Sequence, residues 1–380
     1  MHGAGMNSFD ISEGAQSPKE AGSPESAASS NASGHSRQRS HLRVGMGWWL
    51  ALALALLALV LLWALGSGQF ALAPAQLAEA LWARATGAAS PLPPAAETVL
   101  WNIRLPRIAA GVAVGAMLAA AGAAYQGMFR NPLVSPDILG VSAGAGLGAV
   151  IAIYLGLSMF AVQWLAFGGG LIAVAVVVAI SACVRRHDPV LVLVLAGIAL
   201  GALLGAGIAL IKTLADPNTQ LPSITFWLMG GLSAVTLQEV AATAPVMLAA
   251  LLPLLLLRWR INLLALPDEE ARALGVPVGR LRLVLVVCAT LGTAAAVSLA
   301  GIIGWVGLVV PHVARLLVGP DFVRLLPASA LLGAGFVVAA DTLARSMARI
   351  ELPLGILTAL VGAPFFLYLL ARTGRREGDV

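Results

Sequence analysis

Long apolar runs alternate with short polar or proline- and glycine-containing segments along most of this chain. Most runs have close to the ~20 residues that an α-helix needs to cross a bilayer. The predicted spans are residues 47–65, 108–128, 138–157, 160–183, 190–214, 240–257, 283–300, 302–317, 326–346 and 354–371. The pattern therefore predicts an all-α polytopic membrane protein with about ten transmembrane helices.

Composition and charge agree with this pattern. The 380 residues are 59% hydrophobic and 11% charged, whereas soluble domains carry roughly 25% charged residues. In a soluble protein the net charge of +5 would suggest nucleic acid. Here most Lys and Arg residues fall on one side of the membrane if the spans alternate from a cytoplasmic N-terminus. By the positive-inside rule we expect both termini in the cytoplasm of a multi-pass inner-membrane protein, in contact with lipid and not with nucleic acid.

The two ends of the chain differ from its centre. Residues 1–45 are rich in Ser, Gly, Ala and Pro, a composition that cannot bury a core, so we expect a disordered cytoplasmic tail there. A ten-helix membrane domain is predicted over residues 46–372, followed by a short cytoplasmic tail over residues 373–380. Cys183 and Cys288 lie in separate apolar runs, which predicts neither a disulfide nor a metal site.

One dense cluster of charge, residues 263–282, lies between two predicted spans on the cytoplasmic side. Proline, three acids, a late arginine and a glycine follow one another there, which is the order of start and stop signals for a short helix. We predict a helix over about 267–275. Because an isolated helix of this length is marginal in water, a partner is expected to hold it. The alternative is an ordinary solvated loop.

The sequence lacks an energy source of its own. No GxxxxGK[ST] phosphate loop occurs, so no cofactor is predicted and ATP is expected to bind a separate subunit. Of the acidic residues only Asp341 lies inside an apolar run, whereas ion-coupled carriers usually keep ionisable groups near the midplane. No catalytic constellation appears either. The charged helix therefore favours docking to a separate ATPase, through Pro267, Asp268, Glu269, Glu270, Arg272, Leu274 and Gly275.

Four arginines are expected on the opposite side, against the charge bias. They lie in the segments WNIRLPR and ADTLARSMARIELPLG, and they are Arg104, Arg107, Arg345 and Arg349. We interpret them as docking residues for an acidic patch on a soluble substrate-binding protein. The alternative is that each side chain extends to the lipid head groups.

Several segments interrupt the spans and are candidates for the translocation pathway. The segment YQGMFRNPLVSPDILG has two proline turns between rows of small residues, and TFWLMGGLS ends in a glycine pair. Irregular backbone at membrane depth is tolerated where it is buried or lines a cavity. The candidates are Gln126, Asn131, Pro132, Ser142, Phe226, Trp227 and Met229. The alternatives are helix–helix hydrogen bonds for Gln126 and Ser142, and a place in the interfacial aromatic belt for Trp227.

A similar interruption is expected in the second half of the chain. The spaced glycines of residues 301–315 and a break at Pro311 predict a second discontinuous helix. A basic residue, a small-residue span and a later proline occur in the same order in both halves, which predicts a loose inverted repeat.

Together these motifs resemble the FecCD-type permease family, the transmembrane subunits of type II ABC importers for iron-siderophore, haem or cobalamin. The matching stretches include RLPR, FRNPL, LGVSAGAGLG, NLLALPDEEARALGV, GIIGWVGLVVPHVAR, ADTLAR and ELPLGILTALVGAPFFLYLL, in the family's order. The resemblance implies a type II ABC importer permease fold and a homodimer with the pathway at its interface. It also implies two ATPase subunits docked at the charged helix, and a periplasmic or lipoprotein binding protein that meets Arg104, Arg107 and Arg345.

The function expected from this resemblance is import of an iron chelate, a ferric siderophore above all, by alternating access. Haem, cobalamin or an oxyanion in the same importer class are the alternatives. An ion-driven secondary transporter is the alternative from another class, and the lack of midplane acids argues against it.

Overall fold

The computed structural model describes residues 46–68, 72–184, 189–347 and 350–377, and these residues are almost entirely helical. The predicted tail over residues 1–45 lies outside them. In chain order the helices are α1 (Met46–Gly66), α2 (Pro74–Thr86), α3 (Pro94–Thr98), α4 (Leu105–Phe129), α5 (Val141–Tyr154), α6 (Met159–Cys183), α7 (Pro189–Leu214), α8 (Gln220–Met229), α9 (Leu237–Leu256), α10 (Arg258–Leu263), α11 (Asp268–Ala273), α12 (Val278–Ala300), α13 (Val306–Val318), α14 (Phe322–Met347) and α15 (Leu354–Glu377). A π-helical segment, Val99–Arg104, joins α3 to α4.

Ten of these helices correspond to the ten predicted spans. Seven, namely α1, α4, α6, α7, α9, α12 and α14, are long and apolar enough to cross a membrane. The other three, α5, α13 and α15, are apolar over shorter lengths. The prediction of about ten membrane helices is therefore confirmed, although α5 and α13 are shorter than their apolar runs because irregular backbone precedes each of them.

Helix α4 lies at the centre of the structure and packs against α12, α13 and α14. Its apolar window and that of α12 are mostly buried, whereas only 6% of the residues in the apolar windows of α1 and α7 are buried. The close packing depends on small residues. A Cβ atom on Gly115 would overlap the carbonyl of Gly333 in α14, and one on Gly122 would overlap the carbonyl of Gly307 in α13. The small-residue face predicted for this helix is thus a helix–helix contact.

Two segments of irregular backbone interrupt the helices. After α4 the chain turns at Arg130, with a φ of 52°, and then passes through a 3₁₀ turn at Pro136–Leu139 before α5 begins. After α12 it turns at Gly301, with a φ of 67°, and continues without regular structure to Trp305, with a φ of 71°. In each half a long buried helix is therefore followed by a break and a short helix.

The break predicted at Pro311 is wrong in its position. Pro311 lies inside α13, and the interruption precedes that helix at residues 301–304. A proline removes the hydrogen bond to the carbonyl four residues earlier, here that of Gly307. That carbonyl lies against Gly122 on α4, where an added Cβ atom would overlap it, and α13 continues through the proline.

The polar connection between α1 and α4 forms a separate small layer. Pro74 lies at the first position of α2, and Gly87 ends that helix with a φ of 72°, as expected for a proline start and a glycine stop. Leu77 and Ala80 on one face of α2 pack with Leu100 of the π-helical segment. The amphipathic pattern of this region therefore matches a helix that lies on the surface of the bundle.

Candidate functional site

Helix α11 confirms the predicted short charged helix. It begins after Pro267 and its last helical residue is Ala273. Gly275 follows with a φ of 80° and donates its backbone N–H to the carbonyl of Arg272, which is how glycine satisfies a terminal carbonyl. Ala271 is buried, whereas Glu269, Glu270, Arg272 and Leu274 are exposed. One face of α11 thus packs on the protein and the other faces outwards.

Asp268 is the anchor of this helix. The Arg282 guanidinium donates two hydrogen bonds to the carboxylate, at 2.7 and 2.8 Å, and Arg130 donates a third at 2.8 Å. Arg130 also bonds the carbonyls of Leu264, at 2.6 Å, and of Leu266. We call Asp268, Arg130 and Arg282 the Asp268 cluster. The hydrogen bond from Arg282 is the main cause of the lowered pKa of Asp268, so the carboxylate stays ionised at neutral pH.

These contacts stabilise α11 from within the chain. The helix lies between the end of α4, through Arg130, and the start of α12, through Arg282. It is therefore held within the chain, and a second protein is not required to form it. Docking to an ATPase stays a prediction, and its basis is the outward face of Glu269, Glu270 and Leu274.

A second cluster of charge lies at the other end of α4 and is mostly buried. Nε of Arg107 is 2.8 Å from both carboxylate oxygens of Asp341, and Nη1 is 2.9 Å from both oxygens of Glu351. Nε of Arg345 lies 3.7 Å from Asp341. We call Arg107, Asp341, Arg345 and Glu351 the Arg107 cluster. The side chains of Arg107 and Asp341 are only 7% and 4% exposed, so each charge depends on its partners.

Two predicted docking arginines cap helix α1. Arg104 donates to the carbonyl of Leu65 at 2.6 Å, and Arg345 donates to the carbonyls of Ala64 and Ser67. A cation at the C-terminal end of a helix satisfies free carbonyls and opposes the negative end of the helix dipole. Arg104 and Arg345 are 3% and 8% exposed. Docking to a binding protein stays a prediction for them, and Arg349 lies outside the described residues.

A cleft of about 720 Å³ opens beside the Arg107 cluster. Its wall is mostly apolar and includes two of the predicted gate residues, Phe226 and Trp227. Among the described residues that line it, the charged side chains are Arg107, Glu239 and Glu351. Since Arg107 already pairs with Asp341 and Glu351, the charge that remains in this cleft is negative. Met229 does not line this cleft; it lines a separate pocket together with Ile302 and Trp305.

The other predicted pathway residues belong to the first break and its surroundings. Gln126 is buried; it donates to the carbonyl of Leu308 at 3.3 Å and accepts from Arg315 at 3.1 Å. These hydrogen bonds fit the helix–helix alternative for Gln126, and its pathway role stays a prediction. Asn131 accepts the backbone N–H of Leu133 in the turn that contains Pro132, and Ser142 donates to Asp137. The hydrogen bonds of these residues lie within the break and between it and adjacent helices, and none of the four residues lines the cleft.

The ion-pair partners were the functional residues that sequence reasoning missed. Asp341 lies four residues before Arg345, which is the spacing of side chains that face each other on a helix. The sequence did contain a signal for this ion pair, because a single acid lies in an apolar run at that spacing from an arginine. Glu351 and Arg107 lie 244 residues apart, and no local pattern connects them.

Comparison with known proteins establishes the class of this chain. The sequence model of the FecCD transport family matches residues 56–372, which is most of the sequence. The chain therefore belongs to the FecCD transport family, and it is a multi-pass membrane permease of the ABC-importer class. It is a transport subunit and not an enzyme.

Individual relatives show how broad this family is. The molybdate import system permease protein MolB of Haemophilus influenzae is 39% identical over 318 residues, covering 82% of this chain and 93% of that protein. The cobalamin import system permease protein BtuC of Halobacterium salinarum is 48% identical over 280 residues, covering 73% of this chain and 75% of that protein. A solved structure, described as an inward-facing metal-chelate type ABC transporter, is 35% identical with a TM-score of 0.77, and covers 86% of this chain and 99% of its own.

Proposed function

We propose that this permease imports an iron chelate, a ferric siderophore, across the inner membrane by alternating access. A separate pair of ATPase subunits supplies the energy at α11, and a periplasmic or lipoprotein binding protein delivers the cargo at the end of α4 where Arg107 lies. Two copies of the chain enclose the pathway, and both termini lie in the cytoplasm. Only 6% of the residues in the apolar window of α7 are buried, and this supports a further copy or lipid beside that helix.

The lining of the cleft supports a bulky chelate over a free oxyanion. A site for an oxyanion needs several convergent donors or cations. The cleft instead offers aromatic and aliphatic surface, with one arginine that two carboxylates already neutralise. A metal enclosed by its chelator presents a large surface with little free charge, which suits such a wall. Because two relatives are named as molybdate and cobalamin import permeases, the test includes both as alternative cargoes.

The cargo is tested by uptake into vesicles that contain the permease, its ATPase and its binding protein. We expect ATP-dependent uptake of radioactive iron as a ferric siderophore, well above uptake of haem, cobalamin or molybdate. Trp227→Ala in the cleft is expected to lower uptake, whereas Trp82→Ala on the exposed face of α2 serves as the matched control. Preferred uptake of molybdate or cobalamin would replace the proposed cargo, and uptake driven by an ion gradient without the ATPase would overturn the class of mechanism.

The coupling role of α11 has its own test. Glu269→Lys with Glu270→Lys reverses charge on the exposed face and leaves the Asp268 cluster intact. We expect weaker co-purification of the ATPase and at least about tenfold slower uptake, as for the loss of an interfacial charge pair. Glu79→Lys, on α2 near the other end of the molecule, is the control. Normal ATPase binding and normal uptake in the double variant would refute the coupling role.

A further inference from the structure

A second cavity lies between the first turns of α6 and the first turns of α9, and it shares Gln163 and Glu239 with the cleft described above. It is a groove of about 430 Å³ whose floor includes Ala295 and Ser298 of α12. Membrane-spanning helices begin near the bilayer interface, and this is the depth of the lipid head groups. The position of the groove therefore places it where a head group, rather than the middle of an acyl chain, meets the protein.

One wall of the groove is aromatic. Phe160, Trp164 and Phe167 lie at positions i, i+4 and i+7 of α6, so they share one face of the helix. Their rings are arranged edge to face, with centroids 6.0 and 6.1 Å apart. Phe160 is 67% exposed and Trp164 is 57% exposed. Exposed aromatic faces of this kind attract cations, and tryptophan attracts them most strongly.

The opposite wall carries a carboxylate that is fixed in place but not neutralised. Glu239 accepts from Gln163 at 2.8 Å through one oxygen, and from the backbone N–H and the hydroxyl of Thr236, at 2.8 and 3.0 Å, through the other. These donors are all neutral. Within the described part of the chain, Glu239 makes no ion pair. A negative charge therefore remains at the groove, half-buried and held in one orientation.

We propose that this groove binds the ammonium head group of a zwitterionic membrane lipid such as phosphatidylethanolamine. The ammonium lies between the Glu239 carboxylate and the aromatic faces of Phe160 and Trp164, and the acyl chains run along the apolar outer face of α6. A carboxylate opposite aromatic rings complements a cationic amine, and it repels head groups that carry only negative charge. Trp164 and Phe160 face outwards, so the amine arrives from the bilayer and is attached to a lipid.

Lipid titration of the purified full-length protein tests this proposal, with native mass spectrometry as the readout. Phosphatidylethanolamine and phosphatidylglycerol with identical acyl chains are compared for the first bound lipid. We expect phosphatidylethanolamine to bind about tenfold more tightly, the difference that one partly desolvated charge interaction supplies. Equal binding of the two lipids would overturn the proposal. If free ethanolamine bound as tightly as the lipid, the proposal that the bound amine belongs to a lipid would be wrong.

Two substitutions separate this role from a merely structural one. Glu239→Gln removes the charge but keeps one amide oxygen, which can still accept from Thr236 at the start of α9. Its NH2 group then faces Gln163, whose own amide can turn so that its oxygen accepts. We expect it to abolish the preference between the two lipids without unfolding the protein, and Trp164→Ala to reduce it. Glu79→Gln and Trp82→Ala, both exposed on α2, are the matched controls. An unchanged preference in Glu239→Gln would refute the site.

Discussion

Helix α4 has an arginine next to each of its ends, and the two arginines meet carboxylates in very different surroundings. Arg107 and Asp341 are 7% and 4% exposed, whereas Arg130 and Asp268 are 38% and 31% exposed. A buried pair depends on every partner, because a charge left alone has no water to solvate it. An exposed pair contributes little to stability, since water and salt screen it. Breaking the Arg107 cluster should therefore destabilise the fold, whereas the Asp268 cluster mainly orients α11.

The largest effect is expected from Asp341→Asn, which keeps the shape of the side chain but leaves Arg107 and Arg345 without their shared buried carboxylate. We expect unfolding to become easier by roughly 3–5 kcal/mol, the typical cost of breaking a buried pair. Thermal and denaturant unfolding of the purified protein in detergent, followed by tryptophan fluorescence, measures it. If this variant unfolds like the wild type, the buried cluster does not have the structural role assigned to it.

Asp268→Asn, at the exposed end of α4, is expected to lower transport more than stability. Loss of the paired carboxylate should cost about 1 kcal/mol of stability at most, because the cluster is partly solvated. ATP-driven uptake should nevertheless fall severalfold, since α11 loses its orientation relative to α4 and α12. Glu269→Gln, on the outward face of α11, keeps the cluster and is the control for stability. An Asp268→Asn protein with full uptake would show that the cluster does not orient a coupling element.

Glu351→Gln sharpens the comparison within the Arg107 cluster. The Glu351 side chain is 41% exposed, against 4% for Asp341, so its loss should change stability by less than about 1 kcal/mol. The substitution frees one edge of the Arg107 guanidinium towards the cleft. If Arg107 meets an acidic binding protein, that protein should bind severalfold more tightly, with a larger gain at low salt. Affinity measured by surface plasmon resonance decides this, and weaker binding would count against docking at Arg107.

The smallest effect concerns pH. Arg282 and Arg130 lower the pKa of Asp268, so its stabilising contribution is complete above the ordinary value of about 3.9 and disappears as the pH falls through the lower folded-state value. The difference in unfolding free energy between wild type and Asp268→Asn should be constant from about pH 8 to about pH 5. It should shrink only in stronger acid. A difference that changes near neutral pH would contradict this assignment.

The sequence predicted the helices correctly wherever the signal is local. Apolar run lengths predicted the membrane helices, and the proline, acid and glycine signals predicted α11 to within two residues at its end. The reason is that such signals act through the first and last turns of a helix. The class of protein followed from the order of the motifs.

What the sequence did not indicate depends on tertiary contacts. Docking of Arg104 and Arg345 to a binding protein stays a prediction, but the carbonyls that they bond, at the end of α1, lie far away in the sequence. Pro311 looked like a helix break, but Gly122 of α4 lies against the carbonyl that the proline leaves unbonded. In both cases the deciding partner comes from another helix. Neither composition nor spacing identifies that partner.

The contacts of Gly115 with Gly333 and of Gly122 with Gly307 also have a practical consequence for measuring motion. Backbones this close leave no room for sliding or rotation, so α4, α13 and α14 should form one rigid body. Spin labels or fluorophores on Leu105 at the start of α4 and on Leu343 of α14, both exposed, would then keep a constant separation throughout the transport cycle. That pair provides an internal reference frame, against which the displacement of loosely packed helices such as α7 can be read directly.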